Sequence, residues 1–223
     1  MKALVLFTAL FLLPLLSDSQ IQKDHTLKVT VDGKEFTAQP QQLKFGGYRY
    51  ITCNASKPDQ NLRIWIAGWD GGFVKEPGNY LVVNGDKPDT KENFKKAEDY
   101  GKYKGIAAIK YVLETKSPRM EYHVGYSANN NEVLEVKITN DGYIEFNLNT
   151  TLDGTWWKEK TSATVFGGLG RIVNKMEDKA VTNATGFDQD IDPEGNGYKK
   201  QKTKDNIVLK DGLVRLKLSE PTK

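Results

Sequence analysis

Apolar and polar residues alternate along most of the chain with a period of two, the signature of strands that bury one face. Leu27-Lys28-Val29-Thr30-Val31 opens the pattern, and Asp32-Gly33 separates it from a second run, Lys34 to Ala38. An Asp-Gly step between two alternating runs predicts a two-residue hairpin, because the favoured turn needs positive φ at both central residues. The same device predicts two more hairpins. Glu132 to Thr139 and Tyr143 to Thr151 flank Asn140-Asp141-Gly142, and Asn206 to Lys210 and Leu213 to Leu218 flank Asp211-Gly212. Further strands are predicted at Tyr48 to Cys53, Leu62 to Ala67, Tyr80 to Val83, Gly105 to Glu114, Met120 to Gly125 and Ser162 to Phe166. Clusters of Gly, Asn, Asp and Pro separate them. This spacing predicts an all-β, mainly antiparallel fold, a β-sandwich or jelly-roll-like architecture.

Two short helices interrupt the predicted strands. Asp89 and Glu92 form a capping-box pattern ahead of Phe94 and Ala97. Leu169, Ile172, Val173 and Met176 fall at i, i+3, i+4 and i+7, an apolar helical stripe suited to covering a sheet.

The N-terminus departs from this pattern. Lys2 precedes an apolar run from Ala3 to Leu16, and Ser17-Asp18-Ser19 puts small residues at the −3 and −1 positions of a cleavage site. This reads as a secretory signal peptide over residues 1–19. The run is too short to span hydrocarbon, which takes about 20 residues, so no transmembrane segment is expected after cleavage. Residues 20–223 then read as a single β-rich domain, with two packed sub-domains meeting near Thr155 as the alternative. Cys53 is the only cysteine, so no internal disulfide forms. A secreted chain without disulfides fits a periplasm or bacterial exterior better than a small eukaryotic secreted module.

Composition narrows the partners. The net charge is only +3, and the five arginines (Arg49, Arg63, Arg119, Arg171 and Arg215) are scattered. Nothing here favours nucleic acid or a charged membrane surface. His25 and His123 are the only histidines, too few for a zinc site of several imidazoles. Gly-Tyr-Ser-Ala-Asn at 125–129 is not a nucleophile elbow, because Asn129 stands where the second Gly belongs. Gly167-Gly168-Leu169-Gly170 lacks the Lys-Ser/Thr of a phosphate loop. Glu121 and His123 do share one face of a predicted strand. That pair, with the many other acids, keeps a polysaccharide hydrolase or lyase open as an alternative.

Two constellations carry ligand chemistry. In Asp188-Gln189-Asp190-Ile191-Asp192-Pro193-Glu194-Gly195-Asn196, oxygen side chains recur at alternate positions. Hard cations take six to eight such ligands, so Asp188, Asp190, Asp192, Glu194 and Asn196 are candidate calcium ligands. It is not an EF-hand: Pro193 and Lys199 occupy the positions that need Gly and a bidentate Glu. The other constellation is aromatic. Alternation puts Trp65 on the Arg63 face, opposite Leu62, Ile64 and Ile66; Trp69 and Asp70 follow in a Gly-rich loop; and adjacent Trp156 and Trp157 point to opposite faces of any strand they share. Indole faces stack on sugar rings. Trp65, Trp69, Trp156 and Trp157, with Arg63 and Asp70 as polar contacts, therefore form a candidate carbohydrate platform.

The order of the signal peptide, Val-Asp-Gly-Lys-Glu-Phe-Thr-Ala (31–38), the strand Leu62 to Ala67, Glu-Pro-Gly-Asn-Tyr (76–80) and the strand Gly105 to Glu114 resembles uncharacterised secreted β-sandwich proteins of Bacteroidota. It covers about 40% of the chain, roughly residues 27–115. The matching motifs are turn chemistry, so the resemblance implies a fold and a secreted location and assigns no site residue. The lipid-anchor cysteine usual in such proteins is missing here. The expectation is a secreted, non-enzymatic binding protein for an extracellular carbohydrate. A hydrolase or lyase on the same material is the first alternative, and a structural cell-envelope protein the second.

Overall fold

The computed structural model describes residues 25–45, 48–56, 59–88, 90–99, 101–115, 121–160 and 198–218. Their elements, in chain order, are β1 (Thr26–Val31), β2 (Lys34–Ala38), β3 (Gln41–Phe45), β4 (Tyr48–Ser56), β5 (Asp59–Gly68), β6 (Gly78–Val82), α1 (Lys91–Asp99), β7 (Gly105–Thr115), β8 (Glu121–Tyr126), β9 (Val133–Ile138), β10 (Tyr143–Glu159), β11 (Tyr198–Lys204) and β12 (Ile207–Lys217). The strands form one hydrogen-bonded sheet in the order β2-β1-β12-β10-β9-β6-β7-β5-β4-β3, with β11 beside β10 and β8 between β10 and β7. Every pairing is antiparallel except β6 with β7. The fold is all-β and sandwich-like, as the alternation predicts.

The sheet curls because one of its faces is apolar nearly from end to end. Leu27 and Val29 of β1, Ile64 and Ile66 of β5, Ile109 of β7 and Ile144 and Leu148 of β10 all belong to one buried cluster. Strands so far apart in the order share a core only if the two halves face each other. Phe36 of β2 meets the ring of Tyr111 of β7 edge-on, with centroids 6.3 Å apart. The curl also forks. At their N-terminal ends β7 and β10 are separated by two strands, β6 and β9; at their C-terminal ends β8 alone pairs with both.

The other face carries two smaller clusters. Trp65, Ala67, Leu81 and Ile106 lie against Phe94 of α1. Val112, Tyr122, Val124, Trp157 and Tyr198 form the second, where β7, β8, β10 and β11 run together.

Local turn chemistry explains two of the connections. Asp32 and Gly33 have φ of 48° and 77°, which makes the predicted hairpin turn. The Asp32 carboxylate also accepts from Val208 N–H at 2.8 Å, tying the turn to β12. The turn through residues 140–142 closes β9 on β10.

The third predicted hairpin is corrected. Asp211-Gly212 lies inside β12, which continues from Ile207 to Lys217. Register shifts against both β1 and β10 occur at this point, so the extra residue is a β-bulge. Asp211 takes φ of 52°, and a Cβ on Gly212 would sit 2.6 Å from Leu148 Cβ. The strand cannot fold back there because both of its edges are occupied.

Other boundaries also move. Strand β10 runs past Thr151 to Glu159. Strands β3 and β11 were not predicted, and β11 is a polar run, Tyr-Lys-Lys-Gln-Lys-Thr-Lys, without alternation. The cap of α1 is Thr90, whose Oγ1 accepts from Asn93 N–H at 3.2 Å. The predicted helix at 169–176, the predicted strand at 162–166 and the signal peptide lie outside the described residues. Among the described residues no helix is long and apolar enough to cross a membrane.

Gly154 marks the tightest approach in the sheet. Asp205, at the corner between β11 and β12, donates its N–H to Gly154 O at 3.2 Å. A Cβ at position 154 would stand 1.2 Å from the Asp205 carbonyl oxygen. Gly154→Ala is therefore expected to destabilise at the upper end of overpacking costs, about 3 kcal/mol. For a chain of this size that is a fall of roughly 6–12 °C in Tm. The neighbouring exposed Asp153→Ala is expected to stay within about 0.5 kcal/mol in the same urea and thermal melts.

Candidate functional site

The candidate aromatic residues separate into four environments. Trp65 is 3% exposed. Its ring meets Phe94 of α1 edge-on, with centroids 6.2 Å apart, so it presents no face to a ligand while the helix is docked. Arg63, on the same face of β5, is half-buried between the cross-strand neighbours Thr52 and Lys110. Trp157 is buried in the cluster of Tyr122 and Tyr198, with Lys200 Nζ 5.6 Å from its ring centre. Trp156, on the opposite face of β10, is half-buried.

Trp69 stands apart at 43% exposure, in the turn after β5. Beside it Asp70 is held by its own turn. Its Oδ1 accepts from Gly72 N–H at 2.9 Å and its Oδ2 from Lys75 Nζ at 2.6 Å. The lysine hydrogen bond first, and the backbone donor second, hold this carboxyl below its ordinary value. The six residues thus do not form one platform: Trp69 and Asp70 share an open turn, Trp65 and Trp157 belong to separate buried clusters, and Trp156 lies at a rim.

That rim gathers four titratable side chains, His123, Asp205, Glu121 and Lys158. Pairing of β8 with β10 sets His123 opposite Trp156 and Glu121 opposite Lys158. The imidazole stacks on the indole with centroids 5.2 Å apart and planes inclined by 21°. Lys158 Nζ lies 4.0 Å from the Trp156 ring centre and 3.3 Å from Glu121 Oε1. Asp205 Oδ2 pairs with His123 Nδ1. Alternation shows that Glu121 and His123 share a face, but Asp205 is 82 residues from His123 and carries no local signal.

A second feature is a hollow of about 290 Å³ on the outward face of β9, β10 and β12. It exists because the β9–β10 hairpin splays. The two strands pair from Ile138↔Ile144 to Val136↔Phe146, and beyond that β9 pairs with β6 instead. Where the ladder would have continued, Thr150 Oγ1 donates to the Glu132 carboxylate. Asn147, Asn149, Glu135 and Lys137 supply polar groups, and Leu213 and Val133, both 44% exposed, supply apolar edges. Asn149 is oriented, since its Oδ1 accepts from Asp211 N–H at 2.8 Å. Sequence reasoning missed this hollow because no local pattern marks where a hairpin opens.

Among the described residues no three His, Cys, Asp or Glu side chains are grouped to hold a metal ion. The candidate calcium ligands Asp188, Asp190, Asp192, Glu194 and Asn196 lie outside the described residues. Cys53 is fully buried in the main core, and that burial pushes its thiol far above the ordinary range.

Two outcomes are expected. Trp65→Ala removes a buried indole and costs about 3–5 kcal/mol, whereas Trp69→Ala changes unfolding free energy by about 0.5 kcal/mol or less; urea melts measure both. Stability is also expected to fall in alkali. Burial raises the ionisations of Cys53, Tyr111 and Tyr80, the last to about 12. These groups ionise first in the unfolded chain, so the stabilisation is complete below about pH 9 and is lost as pH rises above it. Melts between pH 7 and 11 measure the decline.

No known protein family, no curated protein and no solved structure matches this chain.

Proposed function

We propose that this chain is a secreted binding protein whose hollow takes an extracellular carbohydrate without reacting on it. The observation that carries the reading is the hollow in the splayed β9–β10 hairpin. Sugar rings offer hydroxyls around an edge and C–H groups on a face. They suit sites that combine planar amides and carboxylates with an apolar wall. Asn147, Asn149 and Glu135 provide the former, and Leu213 and Val133 the latter. The open indole of Trp69 offers a further stacking face. The short apolar N-terminal run supports secretion, and the resemblance to secreted proteins of Bacteroidota agrees with it.

The test is the melting temperature against a panel of polysaccharides. A ligand at about 100 times its dissociation constant adds about 2.7 kcal/mol, or roughly 5–10 °C here. At least one glycan is expected to produce such a shift. The double substitution Asn147→Ala/Leu213→Ala, at two exposed positions, is expected to weaken that glycan's binding at least tenfold and to leave the ligand-free Tm in place. No shift with any glycan overturns the reading and favours a structural envelope role. The same melts with calcium or a chelator test the stretch 188–196. A rise with calcium alone is expected if its oxygens ligate the ion, and no change removes calcium from the account.

A further inference from the structure

We propose that the rim cluster is a general-base site that hydrolyses a carboxylic ester, with His123 as the base and Asp205 as its positioning residue. This goes beyond carbohydrate binding and does not depend on it. The argument begins with the imidazole. Its Nδ1 pairs with Asp205 Oδ2, which directs that proton to the carboxylate and leaves Nε2 as the acceptor. Asp205 is itself held rigidly, because its N–H is bonded to Gly154 O and its carbonyl lies where only a glycine at 154 leaves room. Trp156 backs the imidazole ring and limits its rotation. The His123 and Asp205 side chains keep 24% and 31% of their surface in solvent, so a small substrate reaches them.

The neighbours select the reaction class. Glycoside hydrolysis needs two carboxyl groups free to act as acid and as base or nucleophile. Here Asp205 is committed to His123 and Glu121 to Lys158. Acyl transfer needs less: a base, and positive charge for the oxyanion. Lys158 supplies the charge. It lies against the same indole as His123, and its ammonium has three donors of which Glu121 takes one. In the step itself, Nε2 takes a proton from water while the water oxygen bonds to the ester carbonyl carbon. The tetrahedral intermediate then expels the alcohol by breaking its C–O bond, and the proton on Nε2 passes to the departing alkoxide. One water is consumed, and an acid and an alcohol form.

The test is release of p-nitrophenolate from p-nitrophenyl acetate by the purified protein. The protein is expected to turn over repeatedly and faster than free imidazole at equal concentration. His123→Ala is expected to lower kcat about 100-fold, within the usual range for a general base. His25→Ala is expected to leave kcat unchanged. Asp205→Asn keeps the size of the side chain and is expected to lower kcat about tenfold or more with KM and Tm little changed, a split that a purely structural role would not produce. If His123→Ala fails to fold, the Asp205→Asn result decides. A rate no better than imidazole, or a kcat untouched by Asp205→Asn in the folded protein, overturns the proposal. Glycan shifts measured in the same preparation stand or fall separately.

Discussion

The contact between Gly154 and the Asp205 backbone governs how the last three strands of the described chain come together. A strand of 17 residues, β10, passes beneath the β11–β12 corner, and a side chain at position 154 would collide with that corner. With the corner seated, β12 lies along the first part of β10 and β11 along the last. The same seating delivers the Asp205 carboxylate to His123 on β8. One steric requirement thus supports the pairing of β11 and β12 with β10 and the rim cluster.

The fork between β7 and β10 is the second organising feature. Two strands fill the space at one end and one at the other, so the hairpin ladder cannot stay regular throughout. It opens after Val136↔Phe146, and a side-chain bond from Thr150 to Glu132 bridges the gap that backbone bonds would have filled. The hollow follows from this mismatch. It is lined by residues of a solvated sheet face, whose cross-strand charges, such as Arg215 with Glu145, are otherwise ordinary stabilising pairs.

The tryptophans show how far alternation carries. It correctly assigns Trp65 and Arg63 to the face opposite Ile64 and Ile66, and Trp156 and Trp157 to opposite faces of β10. It does not say whether a face is covered. Trp65 lies beneath α1, Trp157 among the tyrosines of a small second core, and only Trp69, outside the strands, is open. Counting aromatic residues on a face is therefore a measure of apolar surface rather than of access.

The sequence by itself determined the all-β, mainly antiparallel class, most of the strands and the two hairpin turns at 32–33 and 140–142, because period-two alternation and positive-φ turn residues act over a few positions. Only the tertiary structure decided the rest. Asp211-Gly212 has the local chemistry of a hairpin, yet it forms a bulge because β1 and β10 occupy both edges of β12. The polar run of β11 becomes a strand because β10 offers it an edge. His123 gains Asp205, and the β9–β10 hairpin opens into a hollow, through contacts between distant segments. Those outcomes depend on which edges and faces remain free once the sheet has curled, a property of the whole packing that no short stretch of chain encodes.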